Sequence, residues 1–261
     1  MYELSLIALI TPLAGGLLAG LIGSKINKSF THWITTLGIF ISFSISCWIL
    51  VEVFLNPSLF LNQNIYEWMS IAGFNFKAGI VIDHLTVSMT AVVTIIALLV
   101  HIYSIGYMHD DPGYHRFFCY ISLFTFAMLL LVMSNNLLQL FFGWEGVGLM
   151  SYLLIGFWYK KESAIQANFK AFIVNRVGDF GFALGIFLIF YYFGTVNYSE
   201  VFAQIPFIVG KQINFLGIDT SVITLICLLL FLGCMGKSAQ IFLHTWLPDA
   251  MEGPTPVSAL I

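Results

Sequence analysis

Four ionisable side chains, Glu145, Arg176, Asp179 and Lys237, fall inside long apolar runs of a 261-residue chain. Glu145 is the sole charge between Arg116 and Lys160, eight residues into Leu137–Tyr159, LLQLFFGWEGVGLMSYLLIGFWY. In a helix that depth is about 12 Å, near the middle of a hydrocarbon core about 30 Å thick. A carboxylate there is expensive unless protonated, paired or hydrated, which makes it a functional candidate by default. The structural alternative is a permanently protonated Glu145 that joins two helices. The neighbouring Gly143, Gly146 and Gly148 would admit another helix or water to its side.

Arg176 and Asp179 are spaced i, i+3 and can touch on one helical face. They either neutralise each other structurally or form a pair that opens and closes to modulate a neighbouring site. In a helix beginning at Ala171, Asp179 lies about 12 Å from its inner end. Lys237 sits in LFLGCMGKSAQIFLHTWLP, where Gly233 and Gly236 weaken the helix just before the cation. A straight helix from Ser221 would carry Lys237 about 24 Å inward. The glycines and Ser238 point instead to a broken helix whose freed backbone groups line a hydrated cavity. Burial and a nearby carboxylate act on a lysine in opposite senses, so Lys237 can be tuned to exchange protons. GCMGKS resembles the end of a phosphate loop, but the first glycine of that motif would fall at Phe231 and no strand precedes it.

His244 follows Lys237 by seven residues, two helical turns on and near the same face. It can pass a proton onward because its ordinary pKa is near neutral, or it is buried against backbone. His101 has no charged neighbour in sequence and is expected to pack in the core. A carboxylate, an acid–base pair and a lysine at a helix break, on three successive spans, together make a membrane proton path. There is no cysteine cluster, no histidine pair at haem spacing and no dinucleotide fingerprint, which sends any electron transfer to another subunit.

The elements that must position these groups are membrane spans. The chain is 59% hydrophobic and 9% charged, with mean hydropathy +0.94, against about 25% charged residues in a soluble domain. A net charge of −3 without a basic run gives no footprint for nucleic acid. Cys47, Cys119, Cys227 and Cys234 lie in apolar spans without CxxC spacing and read as small buried hydrophobes. The opening MYELSLIALITPL lacks a basic leader, so its apolar segment is expected to remain as the first span.

Seven spans follow from hydropathy: Leu4–Gly23, Trp33–Leu55, Leu85–Met108, Phe117–Met133, Leu137–Tyr159, Ala171–Phe193 and Ser221–Leu247, with an eighth starting at Pro256. The expected fold is an all-α polytopic membrane protein, with a discontinuous helix near Lys237. Ser134-Asn135-Asn136 supplies the tight turn that divides Phe117–Tyr159. Asn56–Asp83 is not helical in pattern, and its β-like runs on either side of Gly73 predict a hairpin outside the bilayer, between spans two and three. Thr195–Thr220 is similarly amphiphilic and is expected at the interface. The two Asn-x-Ser sequons, at Asn27 and Asn197, are of the kind expected by chance. With the N-terminus outside, Lys25, Lys28, Arg116, Lys160, Lys161 and Lys170 fall inside, and only Lys77 and Lys211 outside, which satisfies the positive-inside rule. The last residues, PTPVSALI, are too short to cross a bilayer and suggest a piece of a longer chain. Residues 1–116 form a three-helix segment with the hairpin, and 117–261 a second unit.

FFGWEGVGLMSYLLIGFWY, KAFIVNRVGDFGFALGIF and GKSAQIFLHTWLPDAMEGPTPVSALI resemble the antiporter-like proton-channel subunits of proton-pumping NADH:quinone oxidoreductase, respiratory complex I. The form around Glu145 is similar to the largest of them, chain 5 or subunit L. The likeness is densest over 83–261 and spans about the N-terminal half of that family's chain. It implies that 117–261 is a first antiporter-like repeat, truncated in its last helix. It further implies that Glu145 and Lys237 form the proton-carrying couple of a first half-channel, that Asp179 and Arg176 modulate it, and that His244 stands where the family often has His or Tyr. Phe242 departs from the family, which usually has proline there, so the break after Lys237 must rest on Gly233, Gly236 and Ser238. The family continues with a histidine after Ile261, a second inverted repeat and a lateral helix. The resemblance implies no cofactor in this chain, with NADH, flavin, iron–sulfur clusters and quinone in partner subunits. It implies partners among the membrane-arm subunits, especially an adjacent antiporter-like one, in a bacterial inner membrane or, alternatively, a mitochondrial inner membrane. A subunit of a multi-subunit sodium/proton antiporter shares much of these motifs. A helix-bundle assembly subunit, whose buried charges only fix packing, is the third reading.

Overall fold

A computed structural model describes residues 1–71, 74–215 and 217–261. Among the described residues six helices are long and apolar enough to cross a membrane: α1 (Tyr2–Leu21), α2 (Lys28–Leu55), α3 (His84–Tyr107), α4 (Tyr114–Val132), α5 (Leu137–Ile155) and α6 (Glu162–Phe193). Between α2 and α3 lie two antiparallel strands, β1 (Leu61–Ile71) and β2 (Phe74–Ile82). The predicted hairpin is therefore present, while Gly73 lies outside the described residues. After α6 come α7 (Tyr198–Ile208), a small antiparallel pair β3 (Gln212–Phe215) and β4 (Ile218–Ser221), α8 (Val222–Lys237) and the short α9 (Thr255–Leu260). The chain is an all-α polytopic membrane protein with strands confined to its connections.

The predicted spans need two corrections. The sixth helix starts at Glu162 rather than Ala171, because Glu162 and the following residues continue the helix beyond the apolar run. Asp179 is thus 17 residues, about 26 Å, from that end. The seventh span, Ser221–Leu247, is not one helix: α8 stops at Lys237, and at about 24 Å it is shorter than a bilayer core. The break lies where the glycines pointed, although Gly233 and Gly236 themselves stay helical and buried. The chain turns just after them, with left-handed backbone at Ala239 (φ 49°) and Phe242 (φ 73°).

α1 packs on α2 and α4, α2 on α3, α4 on α5, and α6 on α8. The contact of α4 with α5 depends on Gly143. A Cβ there would stand 2.6 Å from the Leu131 backbone nitrogen and 2.7 Å from its Cα, so any side chain would force the helices apart.

The Ser134-Asn135-Asn136 turn does more than reverse the chain. Asn136 caps α5 by accepting from the Gln139 N–H at 2.8 Å. Its Nδ2 donates to the Lys77 carbonyl at 2.8 Å, and the Gln139 side chain accepts from the Gly79 N–H at 2.8 Å. Asn135 donates to Asn62 and Asn64 at 2.9 and 3.0 Å. The Tyr198 hydroxyl meets Ser134 Oγ at 3.2 Å. One polar turn thereby holds both the β1–β2 hairpin and the start of α7 at the same end of the bundle.

Basic residues gather at the other end. Arg116 donates to the Phe157 carbonyl at 2.9 Å, Lys170 pairs with Asp249 at 2.7 Å, and Lys161 pairs with Glu252. The Lys161 ammonium and the Ser163 hydroxyl hold the Glu252 carboxyl below the usual carboxylate range. These pairs fasten the 249–252 turn, which follows the broken α8, to the first turns of α6.

His101 is fully buried, as expected of a core histidine. One ring nitrogen lies 2.8 Å from the Ala97 carbonyl and the other 3.0 Å from Ser122 Oγ. A carbonyl can only accept, so Nδ1 carries the proton and Ser122 donates to Nε2.

Candidate functional site

Three helices bring the intramembrane charges together. Arg176, on α6, donates through Nη1 to both oxygens of Glu145 on α5, at 2.7 and 2.8 Å. The same nitrogen lies 4.0 Å from Asp179 Oδ2. The i, i+3 contact expected between Arg176 and Asp179 is therefore the weaker arm of a three-residue cluster. Arg176 spends its strong, charge-assisted bonds on Glu145. The Asp179 side chain is 4% exposed, Glu145 27% and Arg176 47%. The cluster runs from the interior of the bundle to the outer face of α5 and α6.

Asp179 has a partner that its sequence neighbourhood does not announce. Trp144 donates its indole N–H to Asp179 Oδ1 at 2.6 Å and stacks on Phe182, one turn further along α6, with ring centroids 4.6 Å apart. Lys237 Nζ lies 5.7 Å from the centroid of the same indole. Its charge is attracted by Asp179 and Glu145 and repelled by Arg176. Among the described residues Lys237 makes no hydrogen bond or ion pair of its own, so its ammonium is held only by field and by the aromatic face.

Lys237 also stands at a boundary. It lines a narrow cleft with Arg176 and Asp179, and also an apolar cavity of about 380 Å³ walled by α3, α4, α5 and the α9 end of the chain at Ala259–Ile261. The end of α8 there is capped by Trp246, whose indole donates to the Gly236 carbonyl at 3.0 Å. A proton on Lys237 could thus face either the carboxylate side or the cavity side.

His244 is not gathered into this cluster. The two-turn spacing from Lys237 assumed a continuous helix, and α8 ends at Lys237 itself. The imidazole is exposed and makes no hydrogen bond among the described residues. Its placement beside Lys237 is corrected accordingly. No group of three His, Cys, Asp or Glu among the described residues stands close enough to hold a metal.

Trp144 was the residue missed in sequence. The only signal was that a buried indole needs an acceptor, and nothing in sequence says that the acceptor is 35 residues away. Replacing Trp144 by Phe keeps a ring on Phe182 and removes the donor to Asp179. The expected loss is about 1.5–3 kcal/mol, read as a lower thermal midpoint of the purified full-length protein.

Two family models match the chain. One, described as NADH:quinone oxidoreductase/Mrp antiporter, TM, covers residues 134–261. The other, described as NADH-Ubiquinone oxidoreductase (complex I), chain 5 N-terminus, covers residues 68–118. NADH-quinone oxidoreductase subunit L of Neisseria meningitidis serogroup A is 56% identical over 262 residues, covering 99% of this chain. The chain belongs to the subunit L, or chain 5, family of complex I. NADH-ubiquinone oxidoreductase chain 5 of Chondrus crispus is 49% identical over 98% of this chain. The family resemblance drawn from the three motifs is thereby established. The chain spans 39% of the Neisseria subunit's length and 38% of the Chondrus one. In fold it is similar to part of the Mrp complex from Dietzia sp. DQ12-45-1b, with TM-score 0.81, 23% identity, 98% of this chain and 26% of that chain covered.

Proposed function

We propose that the full-length protein is a proton-translocating, non-redox subunit in the membrane arm of NADH:quinone oxidoreductase. Partner subunits carry NADH, flavin, iron–sulfur clusters and quinone, and this subunit couples their electron transfer to proton movement. The observation that carries the reading is the position of Lys237, without an ion-pair partner among the described residues and lining both a carboxylate cleft and an apolar cavity. Glu145 and Lys237 exchange the proton, and Arg176 and Asp179 set when. When Arg176 is bound to Glu145, that carboxylate is neutralised and its pull on Lys237 is weak. When Arg176 swings to Asp179, the freed Glu145 carboxylate favours the ammonium form of Lys237 while it is ionised, and releases that hold once it takes a proton itself. His244 would receive the proton beyond Lys237 only after the 238–248 segment rearranges.

The half-exposed Arg176–Glu145 pair, on a face at membrane depth, supports a neighbouring subunit, with an adjacent antiporter-like protein as the partner that covers it. The gathering of basic residues at one end of the bundle supports an orientation with the N-terminus outside, in a bacterial inner membrane or, alternatively, a mitochondrial one. A sodium/proton antiporter subunit is the second reading, favoured by the family description that names both complexes. Co-purification with NADH dehydrogenase activity selects the first.

The test is Glu145→Gln in the full-length subunit within the assembled complex, with NADH oxidation and proton uptake recorded together in sealed vesicles. Uptake that falls, alone or together with oxidation, places Glu145 on the coupled path. If both stay unchanged, the carboxylate is structural and the reading fails.

A further inference from the structure

Four buried side-chain atoms lack a hydrogen-bond partner among the described residues, and one of them, Oδ1, belongs to Asn175, which lines the same two spaces as Lys237. Asn175 lies on α6, one residue before Arg176. Its Nδ2 donates to the Ala171 carbonyl at 2.8 Å. A backbone carbonyl can only accept, so the amide cannot be flipped, and Oδ1 is the atom left over. A buried acceptor without a donor bears its full desolvation penalty, and such an atom in a native fold calls for a missing partner.

Ser151 and Lys237 are the other two residues that line both the cleft and the large cavity. Ser151 cannot supply the donor, because its single O–H already goes to the Gly148 carbonyl at 2.9 Å. Lys237 has three N–H donors, and none is engaged in a hydrogen bond among the described residues. The cleft between them, about 10 Å³, has room for about one water. The charged groups around it are Arg176 and Asp179 on α6, Lys237 on α8, and Glu145 on α5 through its pair with Arg176. Among the described residues Lys237 is the one charged side chain lining the apolar cavity.

We infer that Asn175 is a positioning residue whose Oδ1 accepts a hydrogen bond from the Lys237 ammonium, directly or through one water, at the boundary between the cleft and the cavity. The inference rests on the reading that Lys237 carries protons. An amide oxygen accepts the hydrogen bond without taking the proton. Asn175 therefore steadies the charged lysine and leaves the proton on it for the next transfer.

The experiment uses the full-length subunit in the assembled complex, in sealed vesicles. NADH-driven proton uptake is followed against pH for Asn175→Leu, Asn175→Thr and Lys237→Ala. Leucine keeps the branched shape of asparagine and removes the acceptor. Uptake is expected to fall about ten-fold, with the alkaline limb of the profile displaced to lower pH by about one unit, the equivalent of one charge-assisted hydrogen bond. Threonine can donate its hydroxyl back to the Ala171 carbonyl, four residues earlier, and still accept through its lone pairs, so it is expected to restore most of the uptake and the parental profile. A leucine variant with parental uptake and profile overturns the inference. So do leucine and threonine variants that lose uptake equally, since restoring an acceptor at this position would then restore nothing. If Lys237→Ala pumps like the parent, the proton-path reading itself fails. If Lys237→Ala loses uptake while Asn175→Leu does not, the inference about Asn175 alone is wrong.

Discussion

In the full-length, assembled enzyme, both Lys237→Ala and Lys237→Arg are expected to reduce proton transfer through this subunit by about 100-fold or more, the usual worth of a positioned acid–base group. Alanine removes the transferable proton. Arginine keeps the positive charge opposite Asp179 and Glu145, but it does not release its proton in a protein. The pair of variants therefore separates a charge that stabilises packing from a group that must cycle between charge states. A purely structural cation at this position would be served by arginine, whose planar fork could reach the carboxylates that Lys237 only faces. The readout is protons taken up per NADH oxidised, with subunit content measured alongside. An arginine variant with normal uptake would convert Lys237 into a structural cation and leave Glu145 without its partner.

The depth of Glu145, the spacing of Arg176 and Asp179 and the break at Lys237 were legible in sequence because each is a local exception to an otherwise apolar pattern. Charges inside long hydrophobic runs stand out, and helix breaks announce themselves through glycine and serine. What was not legible was which charge would take which partner. The i, i+3 rule favoured Arg176 with Asp179, yet Arg176 reaches across to Glu145 and leaves Asp179 to Trp144. Such choices are set by the rotation of α5 against α6, which no single helix encodes. The expectation for His244 failed for a related reason. Two turns of helix carry a side chain back to the same face only if the helix continues, and the same break that made Lys237 interesting removed that premise. In sequence Asn135 and Asn136 are turn residues. Their second role, holding the β1–β2 hairpin, depends on strands more than 50 residues earlier in the chain.

The seam between α6 and α8 decides whether Lys237 meets the carboxylates at all, and Gly178→Leu is the change expected to break it. A Cβ at Gly178 would stand 3.1 Å from the Leu232 carbonyl oxygen and 3.2 Å from the Gly236 Cα. From the other side, a Cβ at Gly236 would stand 3.3 Å from the Gly178 Cα. These neighbours are backbone and cannot rotate away. Small residues at such a crossing let two membrane helices approach backbone to backbone. Gly178 directly precedes Asp179, and Gly236 directly precedes Lys237. This backbone-to-backbone contact of the crossing therefore sets the distance between the two charges. Alanine requires a shift of a few tenths of an ångström, and leucine adds three carbons with no space to enter. Overpacking of this kind costs about 1–3 kcal/mol. The functional loss is expected to exceed the loss of stability, because moving α8 outward carries Lys237 away from Asp179 and out of the cleft. Gly178→Ala should retain most of the proton uptake, and Gly178→Leu should lose nearly all of it at subunit levels that remain measurable by immunoblot. If Gly178→Leu pumps normally, the α6–α8 contact does not govern the charge cluster, and Lys237 reaches its proton partners by another route.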